Sequence, residues 1–242
     1  MIDINENAFN DIPYFVVEDT SVAPKAEVLL YHGWGSDAKK QCFRARLLAA
    51  FGYRVFVPEI IHHGTRGTAL YEDTVSAPLF FEVLEESVKE GCYLLENIMV
   101  DEMLHFIIGH SLGGMIALGL AGEPSVQGVV AMNSSAKWSE PIELLNGVYK
   151  EDTEKFLKVD EAKREKPSFS PENWSVNHIS TPVLLTNGAL DNTMPLQMNE
   201  EFLKRCTNPN AKQLIFPETG HVVTDGMLRE AIAFMEKWSR NY

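Results

Sequence analysis

Residues Ile107-Ile108-Gly109-His110-Ser111-Leu112-Gly113-Gly114-Met115-Ile116-Ala117-Leu118 set a His-Ser pair inside an otherwise apolar run. Extended to Leu104–Gly122, the run covers 19 residues, about the length that spans a bilayer. His105, His110 and Ser111 have no place in lipid, and Gly109, Gly113, Gly114, Gly119 and Gly122 would weaken a continuous helix. Dividing the run removes the conflict. Leu104–Gly109 reads as a buried strand and Gly113–Ala121 as a helix, with G-H-S-L-G as the turn between them. The positions two before and two after the serine must be small for strand and helix to approach. The serine is then held in a strained conformation, with its hydroxyl above the sheet edge. The N–H groups that follow it open a helix, where negative charge is favoured.

Outward from this turn, short β-rich runs alternate with helical patterns. The strands expected are Tyr14–Glu18, Glu27–Tyr31, Tyr53–Pro58, Leu104–Gly109, Gly128–Met132, Pro182–Asn187 and Gln213–Phe216. From Glu27 onward most are nearly unbroken apolar runs, as expected when both faces of a strand are covered. The helices expected are Ala38–Phe51, Asp73–Ile98, Ser111–Ala121, Leu196–Arg205 and Asp225–Ser239. This alternation implies an α/β fold, a mostly parallel sheet with helices on both faces.

One segment breaks the rhythm. Ser134–Ser180 contains no convincing strand, but carries charges, three prolines and the large apolar residues Trp138, Leu144, Leu145, Tyr149, Phe156, Leu157, Phe169 and Trp174. It is too long for a plain connection and too aromatic for a free surface excursion. The expected organisation is a core of residues 1–133 and 181–242, with residues 134–180 a helical cap over one end of the sheet. Trp138 and Phe156 are expected to line the roof of a pocket there.

The chain has 242 residues, 45% apolar and 23% charged, with 34 acidic and 21 basic side chains and a formal net charge of −13. So acidic a surface would repel nucleic acid and anionic lipid, so neither is expected as a partner. The opening MIDINENAFNDI lacks the basic and apolar regions of a secretory signal, and the closing KWSRNY carries no retention or lipidation signal. Cys42, Cys92 and Cys206 are odd in number and lack zinc or redox spacing. A cytoplasmic location with reduced thiols is therefore expected.

A serine hydroxyl is a weak nucleophile and needs a base, and the base needs an orienting group. His221 follows the last expected strand in FPETGHVV, and Asp191 follows Pro182–Asn187 in TNGALDNTMP, with Pro195 set to start the next helix. Both occupy loops at the C-terminal ends of parallel strands, where ligands bind in open α/β sheets. Alone, His221 reads as a solvated loop histidine and Asp191 as a helix-start residue. With Ser111 they read as a triad in the order Ser, Asp, His. Acyl transfer also needs donors for an oxyanion. In Tyr31-His32-Gly33-Trp34-Gly35-Ser36, two glycines let the backbone present the Trp34 N–H, which with the Leu112 N–H makes a two-donor hole.

These motifs resemble the α/β-hydrolase superfamily, particularly small bacterial serine esterases similar to dienelactone hydrolases and prolyl-oligopeptidase-type catalytic domains. The resemblance runs from the strand before HGWGS to the final helix. It implies Ser111 in G-x-S-x-G as nucleophile, Asp191 in G-x-x-D-x-x-x-P as acid, His221 in the final G-H as base, and neither cofactor nor metal. Dienelactone hydrolases proper use a cysteine nucleophile, so their substrate does not carry over to this chain.

The loop E-I-I-H-H-G-T-R-G after Tyr53–Pro58 holds His62, His63 and Arg66. In the family this loop lies near the site mouth, so Arg66 could meet an anionic group on the substrate. A structural ion pair in a glycine-shaped turn is the stronger reading. The expected function is a serine hydrolase acting on a small-molecule carboxylic ester with a small or medium acyl group. Thioesterase, peptidase, C–C hydrolase and lactonase chemistry remain open, because the fold hosts many reactions. So does a ligand-binding receptor built on the same scaffold.

Overall fold

The computed structural model describes residues 1–67, 77–138, 169–173 and 179–240. An eight-stranded sheet runs through it, with strands β1 (Ile2–Phe9), β2 (Ile12–Asp19), β3 (Ala26–Tyr31), β4 (Tyr53–Pro58), β5 (His105–His110), β6 (Val126–Met132), β7 (Val183–Gly188) and β8 (Ala211–Phe216). Their spatial order is β1-β2-β4-β3-β5-β6-β7-β8. Strands β3 to β8 are parallel, and β1 and β2 add an antiparallel edge beside β4.

The apolar runs of the parallel strands divide their side chains between two cores. Val28 and Leu30 of β3, Phe106 and Ile108 of β5, and Val130 and Met132 of β6 face one side. There α1 (Ala38–Ala50) and α5 (Asp225–Ser239) bury Ala45, Leu48, Met227, Ala231 and Met235. Leu29 and Tyr31, Ile107, and Val129 and Ala131 face the other side. That side is covered by α2 (Ala77–Asn97), α3 (Leu112–Gly119) and α4 (Gln197–Arg205). Alternation is present, but both faces are apolar, so it does not show in the sequence. The fold is the α/β-hydrolase fold.

Capping residues define the helix starts. The Asp37 side chain accepts from the Lys40 N–H at 2.8 Å and opens α1. The Thr224 hydroxyl accepts from the Met227 N–H at 3.2 Å and opens α5. Helix α3 is shorter than expected and tightens into a 3₁₀ turn over Leu120–Gly122. Strand β1 was not expected. Ile2 and Ile4 pack partly on the core while Asn5, Glu6, Asn7 and Ala8 are exposed, and backbone pairing with β2 makes the strand.

Most of the expected cap, including Tyr149, Phe156 and the stretch 139–168, lies outside the described residues, as do Trp174 and the expected helix start at 73–76. Among the described residues, no helix is long and apolar enough to cross a membrane.

Candidate active site

Ser111 joins β5 to α3 at φ 56°, ψ −121°, a left-handed backbone that side chains rarely adopt. Glycine on either side is a geometric requirement. A Cβ at Gly109 would overlap the carbonyl of Gly113, and one at Gly113 would overlap the carbonyls of Tyr31 and His32. The Ser111 N–H donates to the Met132 carbonyl at 2.9 Å, tying the turn to β6. Its own carbonyl accepts from the Ser134 hydroxyl at 2.7 Å.

The three residues named as a triad converge at the C-terminal edge of the sheet. His221 Nε2 stands 2.9 Å from Ser111 Oγ, and His221 Nδ1 stands 2.8 Å from Asp191 Oδ2. The other oxygen of Asp191 accepts from the N–H groups of Thr193 and Met194 at 2.9 and 2.8 Å. The carboxylate is thereby locked on both sides at a buried position, 4% exposed. With Nδ1 donating to Asp191, Nε2 is left as acceptor for the serine proton.

A second histidine lies close by, and its environment distinguishes it from the first. The His110 ring centroid is 4.8 Å from that of His221. Burial, followed by the charges of His221 and Arg44, lowers the His110 pKa to about 3. His110 therefore stays neutral near pH 7.

The HGWGS loop rests directly against Ser111, since a Cβ at Gly33 would stand 3.3 Å from the Ser111 Cβ. Fully buried His32 anchors the loop, with Nδ1 2.9 Å from the Gly33 carbonyl and Nε2 3.0 Å from Glu59 Oε1. Glu59 also accepts from the Ala38 N–H at 3.1 Å, so one carboxylate joins the loop to the start of α1. Sequence reasoning passed over Glu59; its only signal was a charged residue directly after an apolar strand. Between this loop, α1 and the turn after His221 lies an open pocket of about 300 Å³, with Ser111 in its wall.

A buried amide network supports the triad loops and was also missed. Asn133 donates to the Val222 carbonyl at 2.7 Å and accepts from the Gly188 N–H at 2.8 Å. Asn199 donates to the Ser134 carbonyl and to Asn187 Oδ1, both at 2.8 Å. Gln213 reaches the same Asn187 oxygen at 3.0 Å.

Other expected site residues fall elsewhere. Arg66 makes a two-pronged ion pair with Glu90 of α2 at 2.7 and 2.6 Å and donates to the Glu59 carbonyl at 3.0 Å. This is the structural ion pair, and Arg66 does not line the pocket that holds Ser111. Trp138 is 1% exposed, packed on Phe169 and against Gly119, two turns along α3 from Ser111. Expecting it in a pocket roof is corrected: so large an apolar ring is enclosed in the core beneath the sheet edge. Phe156 lies outside the described residues. His63 turns inward, its Nδ1 2.8 Å from the Ile61 carbonyl and its ring edge-on to Trp34 at 4.8 Å, while His62 faces Glu82 at 3.4 Å. The three cysteines are free thiols, and burial raises the pKa of each, that of Cys92 to about 12. None is thereby poised as a thiolate.

Comparison with known proteins agrees with this architecture. "Putative esterase YitV" of Bacillus subtilis is 25% identical over 220 residues, covering 84% of this chain and 83% of that protein. Esterase YjfP of Escherichia coli is 31% identical over 145 residues, 56% of each chain. The crystal structure of TT1662 from Thermus thermophilus superposes with a TM-score of 0.73 at 18% identity, over 99% of this chain and 98% of that one. The sequence pattern of the prolyl oligopeptidase family matches residues 40–242, a span holding the serine turn, the Asp191 loop and His221. With that match and the α/β-hydrolase sheet beneath it, the chain belongs to the prolyl oligopeptidase family.

Proposed function

We propose that the protein is a serine hydrolase that cleaves a carboxylic ester of a small or medium acyl group through an acyl-enzyme on Ser111. His221 Nε2 takes the serine proton as Oγ attacks the ester carbonyl. The carbonyl oxygen becomes an oxyanion, held by the N–H groups of Trp34 and Leu112. As the tetrahedral adduct collapses, the C–O bond to the alcohol breaks and His221 returns the proton to the leaving oxygen. Water then repeats the sequence on the acyl-serine, releasing the acid and restoring Ser111. Asp191 holds Nδ1–H and so keeps Nε2 free as acceptor.

The observation that carries this reading is the continuous chain from Asp191 Oδ2 through His221 to Ser111 Oγ, with links of 2.8 and 2.9 Å. Three further observations support it. Among the described residues, neither the Trp34 nor the Leu112 N–H donates to a protein acceptor. A pocket of about 300 Å³ is at the lower end of small-molecule sites. Two relatives bear the name esterase.

The test is a fluorophosphonate probe together with turnover of short p-nitrophenyl esters. Wild type should be labelled and should release p-nitrophenol. Ser111→Ala should fold, resist labelling and lose several orders of magnitude in kcat. Labelling of the alanine variant at the wild-type rate would refute the assignment. Faster cleavage of a prolyl p-nitroanilide than of any ester would replace it with a peptidase.

A further inference from the structure

Arg44 has a feature that triad chemistry does not use. It extends from the second turn of α1 into the wall of the pocket that contains Ser111, next to Gln41. Gln41 Oε1 accepts from Arg44 Nη1 at 2.9 Å, which orients the guanidinium, and among the described residues no other acceptor takes its remaining N–H groups. Arg44 is partly buried, and that burial lowers its pKa from the ordinary value, yet a guanidinium stays charged throughout the working pH range. Among the described residues no carboxylate pairs with it, whereas neighbouring Lys40 is matched by Asp37 at 2.9 Å.

The surroundings point the same way. The chain carries a net charge of −13, but among the described residues the wall of this pocket contributes Lys40 and Arg44 and neither Asp nor Glu. Arg44 is near enough to His110 for its charge to help hold that ring neutral, and the His110 ring lies 4.8 Å from that of His221. A partly desolvated cation without a counter-ion is unfavourable until an anion meets it. A planar fork of N–H donors suits a carboxylate in particular.

We propose that Arg44 is the specificity residue of this pocket and that the substrate is an ester carrying a free carboxylate, such as a half-ester of a short dicarboxylic acid. This rests on the hydrolase reading of Ser111. A neutral ester of the same shape would leave the guanidinium unpaired in the filled pocket, and selection against it follows from that.

The experiment compares monomethyl glutarate with methyl pentanoate, and acetoxyacetate with propyl acetate, by proton release at constant pH. The first pair places the carboxylate on the acyl side, the second on the alcohol side. Wild type should prefer the anionic member of at least one pair in kcat/KM. That ratio should fall about 10- to 100-fold in Arg44→Gln and recover in part in Arg44→Lys, which also serves if the glutamine variant does not fold. Arg46→Gln, exposed on the same helix, should keep the wild-type ratio.

In parallel, calorimetry measures monomethyl glutarate binding to Ser111→Ala with and without Arg44→Gln. Equal ratios in wild type and Arg44→Gln for both pairs would overturn the proposal and leave the hydrolase reading standing. A wild type inert toward every ester and the fluorophosphonate would overturn the hydrolase reading instead. The calorimetry then decides the carboxylate site alone: binding that needs Arg44 upholds it, and binding absent or indifferent to Arg44 overturns it.

Discussion

The side-chain amide of Asn133, at the end of β6, donates to the carbonyl of Val222, one residue beyond His221, at 2.7 Å. Its oxygen accepts from the Gly188 N–H at 2.8 Å, and its own backbone is left-handed at φ 44°. One residue therefore ties two strand ends to the loop that carries His221. Asn133→Ala removes both bonds and leaves alanine in a strained conformation, so stability should fall by about 1–3 kcal/mol. Because a displaced base affects the transition state more than the ground state, kcat should fall while KM changes little. Asn133→Gly relieves the backbone strain without restoring the bonds. It should recover part of the melting temperature but not kcat. Recovery of both would mean that Asn133 acts through backbone conformation alone.

Asp191→Asn isolates the role proposed for Asp191. An asparagine oxygen can still accept from the Thr193 and Met194 N–H groups, which Asp191 Oδ1 holds at 2.9 and 2.8 Å, so the fold should survive. Its amide would face His221 Nδ1 as a donor and favour the tautomer in which Nε2 carries the proton. The serine proton then has no acceptor, and kcat should fall by about 10⁴-fold. Asp225, in the first turn of α5, has no part in the triad chain, so Asp225→Asn should be far milder. The two variants, compared on one p-nitrophenyl ester, check the assignment; a more severe loss for Asp225→Asn reverses it.

The convergence of Ser111, His221 and Asp191 was legible in the sequence because the chemistry proposed for them needs particular residue types at strand ends. Ser111 and Asp191 follow apolar runs that mark the buried strands β5 and β7, whereas His221 follows the shorter apolar run of the half-exposed edge strand β8. The parallel sheet was legible for a related reason, since strands such as Val28–Tyr31 are covered on both faces and read as unbroken apolar segments. The supporting residues were not. Asn133, Asn187 and Asn199 are polar side chains at element ends, and they bond to groups far away in sequence. Glu59 is a lone charge after an apolar run, and only the fold shows it enclosed against His32. Trp138 shows the opposite failure: an aromatic in an irregular segment signals burial, but only the fold shows that the cavity it fills is the core beside Gly119.

The Arg66–Glu90 pair should behave as a tether between its loop and α2. Both side chains are largely shielded, at 14% and 22% exposure, and the contact is two-pronged. Arg66→Ala leaves Glu90 without its counter-ion and the Glu59 carbonyl without a donor, a loss of about 1.5–3 kcal/mol. Glu90→Gln should destabilise in the same direction by less, and the double variant should fall short of the sum because both remove one interaction. Urea unfolding of the four proteins gives the cycle. A raised KM for a neutral ester with unchanged stability would return Arg66 to the substrate site.

His110 gives the protein a pH dependence whose sign is fixed by burial. The unfolded chain titrates this histidine near its ordinary value of 6.5, whereas the folded protein lowers it to about 3. Between those limits the unfolded state binds a proton that the native state refuses, and acid shifts the balance toward unfolding. The contribution to stability is complete above pH 6.5 and declines as pH falls toward 3. His110→Gln removes the titration while keeping a polar side chain of similar length. Its melting temperature should therefore fall less than that of wild type between pH 7 and pH 4, even if the variant is the less stable protein at pH 7. The substitution leaves His221 and Asp191 in place, so fluorophosphonate labelling at neutral pH should persist and report that the site is intact. Melting curves taken at half-unit steps through this window check the prediction. Parallel curves for the two proteins would mean that His110 accepts its proton as readily in the folded state as in the unfolded one.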